Sequence, residues 1–201
     1  VAGIGYEKGR RRRSELLEAA FSRFATLGYR NATLAQIAAD CGVSRMGLAH
    51  HFRTKEALLL AVLEERDRVN GRDFFVGSDP SVEPLDYLDR FARLIDDNAA
   101  VPGLINLYAV LSAESATDPD HPAHGYFRDR YRRIRGHIDA AFAALKADGT
   151  IDARVDVDNA GAAMMGLIDG LQVQWLLEPD AVDIGAQLRR WYRQGFGLDL
   201  A

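Results

Sequence analysis

Residues 44–52 read SRMGLAHHF, side chains suited to reading DNA rather than to covalent chemistry. The planar guanidinium of Arg45 can donate two hydrogen bonds to guanine O6 and N7, a pairing worth roughly 1–3 kcal/mol of discrimination. A phosphate contact is the alternative use of the same group. Leu48 is the inward residue of a short helix here, so Arg45, Met46, Gly47 and Ala49 are expected to face a groove. Glycine inside a helix costs about 1 kcal/mol against alanine. Gly47 would let the backbone approach base edges or a thymine methyl. Thr33 stands at a helix N-terminus, where free amides and the dipole favour an anion. Lys55 opens the next helix beside the groove, and Ser44, His50 and His51 complete the candidate phosphate contacts. Arg10, Arg11 and Arg12, with Arg13, form a basic cluster before this segment. It is either a solvated charge run or an arm for phosphates or a minor groove.

Other chemistry finds little support. His50 and His51 are adjacent, so they diverge on a helix and cannot chelate one ion together. HEXXH, CxxC and P-loop patterns are absent. The residues therefore nominate no catalytic group, no metal site and no cofactor. His121, His124, Asp118 and Asp120 form the other His/Asp cluster. A solvated loop is expected there, with a divalent metal site as the alternative.

The elements around residues 33–56 explain how these side chains would be held. Thr33 is a good N-cap, and Leu34, Ile37, Ala38 and Cys41 recur at helical spacing. Gly42 supplies a tight turn. Ser44 caps a second short helix with Val43, Leu48 and Phe52 inward. Small Ala38 lets the two helices cross closely, giving a helix-turn-helix whose second helix is free to enter a major groove. A preceding helix is expected from about residue 10 to Leu27, ending at Gly28, with Leu17, Phe21 and Phe24 as its buried stripe and residues 1–9 frayed. A following helix is expected from about 54 to the low 70s.

The pattern Thr33-xxx-Ile37-Ala38-xxx-Gly42-Val43-Ser44, continued by His51-Phe52-x-x-Lys55-Glu56-x-Leu58, resembles the DNA-binding segment of the TetR family of bacterial repressors. The close match covers roughly residues 10–60. The resemblance implies an all-α chain of about nine helices. An N-terminal helix-turn-helix domain, residues 1–54, would precede a larger ligand-binding and dimerisation domain, residues 55–201. It also implies that Thr33 and Lys55 match phosphate-binding positions and His51 the family's histidine, for which a packed or capping role is the alternative. Ala49 departs from the pattern, because an aromatic residue commonly stands there. His50 is the candidate substitute for the lost contact.

Charge distribution supports the division. The 201-residue chain carries a formal net charge of −4. Residues 1–56 carry +5 and the remainder −9. A basic head on an acidic body is the asymmetry of a DNA-binding module joined to a non-DNA-binding one. The lone cysteine, Cys41, argues for a reducing, cytoplasmic setting and a structural thiol. No secretory leader and no membrane-length apolar run are seen.

The body reads as helices separated by loops at 77–84, 116–125 and 149–155. Phe91, Ile105, Tyr108, Phe127 and Tyr131, with Met164, Met165, Ile168, Gln172 and Trp175, are expected to wall a cavity for a small apolar molecule. Plain core is the alternative for each. Gly166 and Gly170, one turn apart, permit close helix approach. With Leu176, Leu188, Trp191 and Tyr192 they are expected to form a two-fold dimer interface, with packing inside one chain as the alternative. The expectation is a homodimeric regulator, released from a pseudo-palindromic operator on double-stranded DNA by a small-molecule inducer. A DNA-binding scaffold without inducer and a helical enzyme are the alternatives.

Overall fold

The computed structural model describes residues 2–200, with side chains from residue 9 onward. All regular structure among the described residues is helical. In order the helices are α1 (Ala2–Asn31), α2 (Leu34–Asp40), α3 (Arg45–His51), α4 (Lys55–Phe74), α5 (Pro84–Ala100), α6 (Leu104–Thr117), α7 (His124–Ala147), α8 (Ala160–Leu177) and α9 (Ile184–Phe196). None is long and apolar enough to cross a membrane.

The first helix differs from its expected limits at both ends. Its backbone is helical from Ala2, so Arg10–Arg13 lie within a helix rather than in an extended arm. At the other end Gly28 breaks the helix at φ 76°, and one more turn follows to Asn31. Only glycine takes that backbone angle without steric cost.

The chain forms two compact units. One comprises Val1–Val69 with Asn106–His124, the other Asn70–Ile105 with Gly125–Ala201. The units therefore divide α4 near its last turn rather than at residue 54, and most of α6 belongs with the first unit. In that unit Leu16, Leu17, Ala20 and Phe24 of α1 are buried, as are Ile37 and Ala38 of α2, Leu48 of α3, and Leu58, Leu59, Val62 and Leu63 of α4. Phe21, expected in the buried stripe, is half-buried with the Arg66 guanidinium 5.5 Å above its ring. Asn106 of α6 donates to the Ala25 carbonyl at 3.3 Å. Arg30 pairs with Glu114 at 3.1 Å. Burial of the apolar side chains, at roughly 25 cal/mol per Å², is the main force holding such a bundle.

In the second unit α9 packs against α5 and α8. The core gathers Leu88, Phe91, Ile138, Phe142, Met164, Leu188 and Tyr192. Helices α7 and α8 cross closely at Gly161, where a Cβ would stand 2.5 Å from the Arg135 carbonyl oxygen. The Gly161 amide donates to Asp139 Oδ1 at 2.8 Å across the same crossing.

Candidate nucleic-acid interface

Helices α2 and α3 are each seven residues, too short to persist alone in water, so their ends carry much of their definition. Thr33 and Gln36 form a reciprocal cap on α2. The Gln36 amide donates to Thr33 Oγ1 at 3.2 Å, and the Thr33 amide donates to Gln36 Oε1 at 2.9 Å. The sequence signal was the Thr-x-x-Gln spacing that marks such a box. Gly42, at φ 62°, makes the turn. Ser44 Oγ then accepts from the Gly47 amide at 3.0 Å and starts α3. Thr33 Oγ1 is engaged within the protein both ways, accepting from the Gln36 amide and donating to Gln36 Oε1 at 2.9 Å, whereas Ser44 Oγ serves its cap as an acceptor.

Helix α3 buries Leu48 completely and turns its other side outward. Met46 is 81% exposed, and Arg45 and His50 are exposed. Gly47, Ala49 and His51 are intermediate. The His50 and His51 rings meet edge to face at 5.6 Å, the arrangement of neighbours rather than of two ligands on one ion. Arg45, Met46 and His50 are thus the exposed residues of α3, while Gly47 and Ala49 flank buried Leu48.

The surrounding cations are partly committed to holding α1, α2 and α4 in place. Arg12 reaches Glu15 at 2.9 Å and the Cys41 carbonyl at 3.3 Å. Arg11 pairs with Glu15, and Arg13 lies 5.2 Å above the Phe52 ring. Arg23 makes a two-pronged bridge to Asp40, with Nη2 to Oδ1 at 2.6 Å. That bridge holds the Asp40 carboxyl below the usual range, chiefly through the hydrogen bond. Lys55 donates to the Arg30 carbonyl at 3.0 Å and lies 4.5 Å from the centre of the Tyr29 ring. Its ammonium ties the start of α4 to the end of α1. The Tyr29 hydroxyl faces Glu56 at 3.3 Å, and burial, then the Glu56 charge, push its pKa up to about 12.

Cys41 is half-buried, its thiol 3.7 Å from the Glu15 carbonyl. Burial pushes its pKa up, which suits a structural thiol rather than a nucleophile. The histidine loop is less solvated than expected. His121 is 9% exposed, its Nδ1 accepting from the Ala123 amide at 3.1 Å. His124 Nδ1 lies 2.7 Å from the Ser115 carbonyl oxygen. Among the described residues no three His, Cys, Asp or Glu side chains come together as a metal site.

The cavity candidates divide. Tyr108 belongs to the first unit, its hydroxyl 3.4 Å from the Leu63 carbonyl oxygen. Phe91, Ile105, Met164, Met165 and Ile168 are buried in the second unit's core, with Tyr131 and Trp175 half-buried against it. Phe127 is buried and Gln172 intermediate. Sequence reading passed over Asp169, the lone charge in α8. Tyr131 donates to its Oδ2 at 2.7 Å, yet burial raises its pKa above the usual carboxyl value.

The dimer candidates divide too. Leu188 and Tyr192 are fully buried within one chain, and Trp191 meets Phe142 and Phe196 edge to face. Leu188 and Tyr192 have no surface to offer a second copy, because the apolar face of α9 is spent on its own core. Gly166 and Gly170 are exposed on α8, Leu176 is intermediate, and the adjacent Leu177 is 77% exposed.

Residues 16–62 match the family described as bacterial regulatory proteins, tetR family. Residues 91–194 match the C-terminal domain of BetI-type transcriptional repressors. The chain belongs to the TetR family of bacterial transcriptional regulators. The TetR-family regulator BetI of Brucella suis biovar 1 is 30% identical over 187 residues, covering 92% of this chain and 89% of its own. The HTH-type transcriptional regulator ArpR of Pseudomonas putida is 27% identical over 206 residues, covering 96% and 93%. Among solved structures, SmeT of Stenotrophomonas maltophilia in complex with triclosan superposes with a TM-score of 0.77 at 16% identity, covering 92% of this chain and 91% of that one. That likeness is one of fold. These TetR-family relatives are regulators of transcription, and the helix-turn-helix of α2 and α3 is the DNA-binding element they share by family.

Proposed function

We propose that this TetR-family regulator is a homodimeric repressor that holds a pseudo-palindromic operator and is released by a small, largely apolar molecule. The observation that carries the reading is the open side of α3, with Arg45, Met46 and His50 exposed, on a head that carries +5 in its first 56 residues. Arg45 would read bases. Lys55, Thr33, Ser44 and His51, with Arg10, Arg11 and Arg12, would meet phosphates. Because Arg10–Arg12 are helical, they would lie along the backbone rather than thread a minor groove.

The outward side of α8 supports the dimer. Ala162, Ala163, Gly166, Gly170, Val173 and Leu177 are exposed on a helix whose lone charge is Asp169. Exposed apolar residues gathered on one helix mark an interaction surface, and a second copy would cover this one. A two-fold protein presents two heads to two half-sites. The apolar second unit supports a ligand of matching character, and SmeT, of the same fold, was solved with triclosan.

Release requires that the ligand bind the two conformations unequally, with a coupling of about 1–3 kcal/mol in typical cases. Helix α4 runs from the first unit into the second and is the natural lever. The test is a melting-shift screen of small apolar compounds, with each hit then titrated into the protein–operator complex. Hits that raise the melting temperature and lower operator affinity support the reading. Hits that stabilise the protein and leave operator affinity unchanged contradict the inducer.

A further inference from the structure

We infer that Met46 reads the 5-methyl group of a thymine in each half-site, an inference that rests on the DNA-binding reading of the head. Met46 is the most exposed of the large apolar side chains seen at the surface, at 81%. It sits two residues before fully buried Leu48, about 160° around the helix from it. His50, at the same angle on the other side, is exposed beside it. Met46 therefore stands on the outermost line of α3, where a major groove would come closest.

The neighbouring position sharpens this. A Cβ on Gly47 would meet Ser44 Oγ and Val43 Cβ at 3.5 Å, ordinary contact distance. Folding does not require glycine there, and alanine would favour the helix. Met46 and Gly47 bring no side-chain hydrogen-bond donor to α3, while exposed His50 stands one turn on from Met46. The major-groove edges of the four bases present hydrogen-bond donors and acceptors with one apolar exception, the thymine methyl. A thioether on an unbranched chain adapts its shape to such a group. A hydrogen-bonding base edge opposite the Met46 side chain would lose its water without a replacement partner there, so Met46 selects for thymine and against cytosine.

The test starts from duplexes enriched by the full-length protein out of a randomised library. The library is amplified enzymatically and so carries no methylcytosine, which leaves thymine as the one source of a methyl. The enriched duplex is then synthesised with dU in place of dT, one symmetric pair of positions at a time. Removal of the contacted methyl is expected to weaken binding about fourfold per half-site, the value of one buried methyl-sized group. M46A should bind the dT and dU duplexes alike, and its exposed position leaves the fold intact. Enrichment without any dU-sensitive position overturns the inference and leaves the operator reading standing. So does a dU sensitivity that M46A retains in full. A library that fails to enrich contradicts the operator reading itself, and this inference with it.

Discussion

Gly47 separates what the head needs in order to fold from what it needs on DNA. The interior leaves room for a methyl at this position. Gly47→Ala should therefore raise stability in urea unfolding by up to about 1 kcal/mol. It should also lower operator affinity, because the added methyl stands on the groove-facing flank. A variant that is more stable and binds equally well would remove Gly47 from the interface. Asp169 poses a residue-level question in the second unit. Burial raises its pKa in the folded state. Its ionised form is thus disfavoured by folding, and stability is highest below the ordinary carboxyl pKa and declines as pH rises through the window up to the folded value. Asp169→Asn keeps an acceptor for the Tyr131 hydroxyl and removes the charge. It should melt higher than the parent near pH 7, with the difference vanishing in acid. A gap that persists at low pH would point to packing instead. Asp169 was visible in the sequence as the lone charge in an apolar helix. Its partner, 38 residues away on α7, was not, because nothing local specifies which hydroxyl a buried acid will meet.

At the scale of elements, what was legible is what is decided locally. Thr33, Gly42 and Ser44 each act within four residues, so caps and turn could be read from spacing alone. Thr54 and Pro84 act as locally, Thr54 Oγ1 accepting from the Ala57 amide at the start of α4 and Pro84 opening α5. Helix α9 shows the opposite case. Its apolar stripe is strong, but a stripe looks the same whether it packs on its own chain or on a partner. Leu188 and Tyr192 proved to be intramolecular. Helix α8 is mostly apolar without a clear stripe, so its open face could not be read from periodicity. The crossing of α7 and α8 gives an element-scale prediction. Gly161→Ala would drive a Cβ against the Arg135 backbone, which has no side-chain freedom with which to yield. A loss of about 1–3 kcal/mol is expected from such overpacking. Denaturant melts that match the parent would show that the helices can separate without cost.

Across the whole molecule, charge and symmetry carry the account. The excess of positive charge lies in the first 56 residues, and the remainder is acidic. Such a distribution favours approach of DNA to the head and disfavours it elsewhere. The assignment of α6 to the first unit was beyond sequence reading, since Asn106–Ala25 and Arg30–Glu114 join residues more than 80 positions apart. Dimerisation is tested at Leu177, which is 77% exposed in the single chain. Leu177→Lys should leave the secondary structure unchanged, shift the species from dimer to monomer in light scattering, and weaken operator binding. A variant that remains dimeric would move the interface away from this face. The most direct measurement is a fluorescence-anisotropy titration of the duplex upstream of the protein's own gene against a shuffled duplex of equal composition, at about 150 mM salt, where non-specific attraction is largely suppressed. The upstream duplex is expected to bind at least about 10³-fold more tightly. Equal affinities would contradict sequence-specific operator binding.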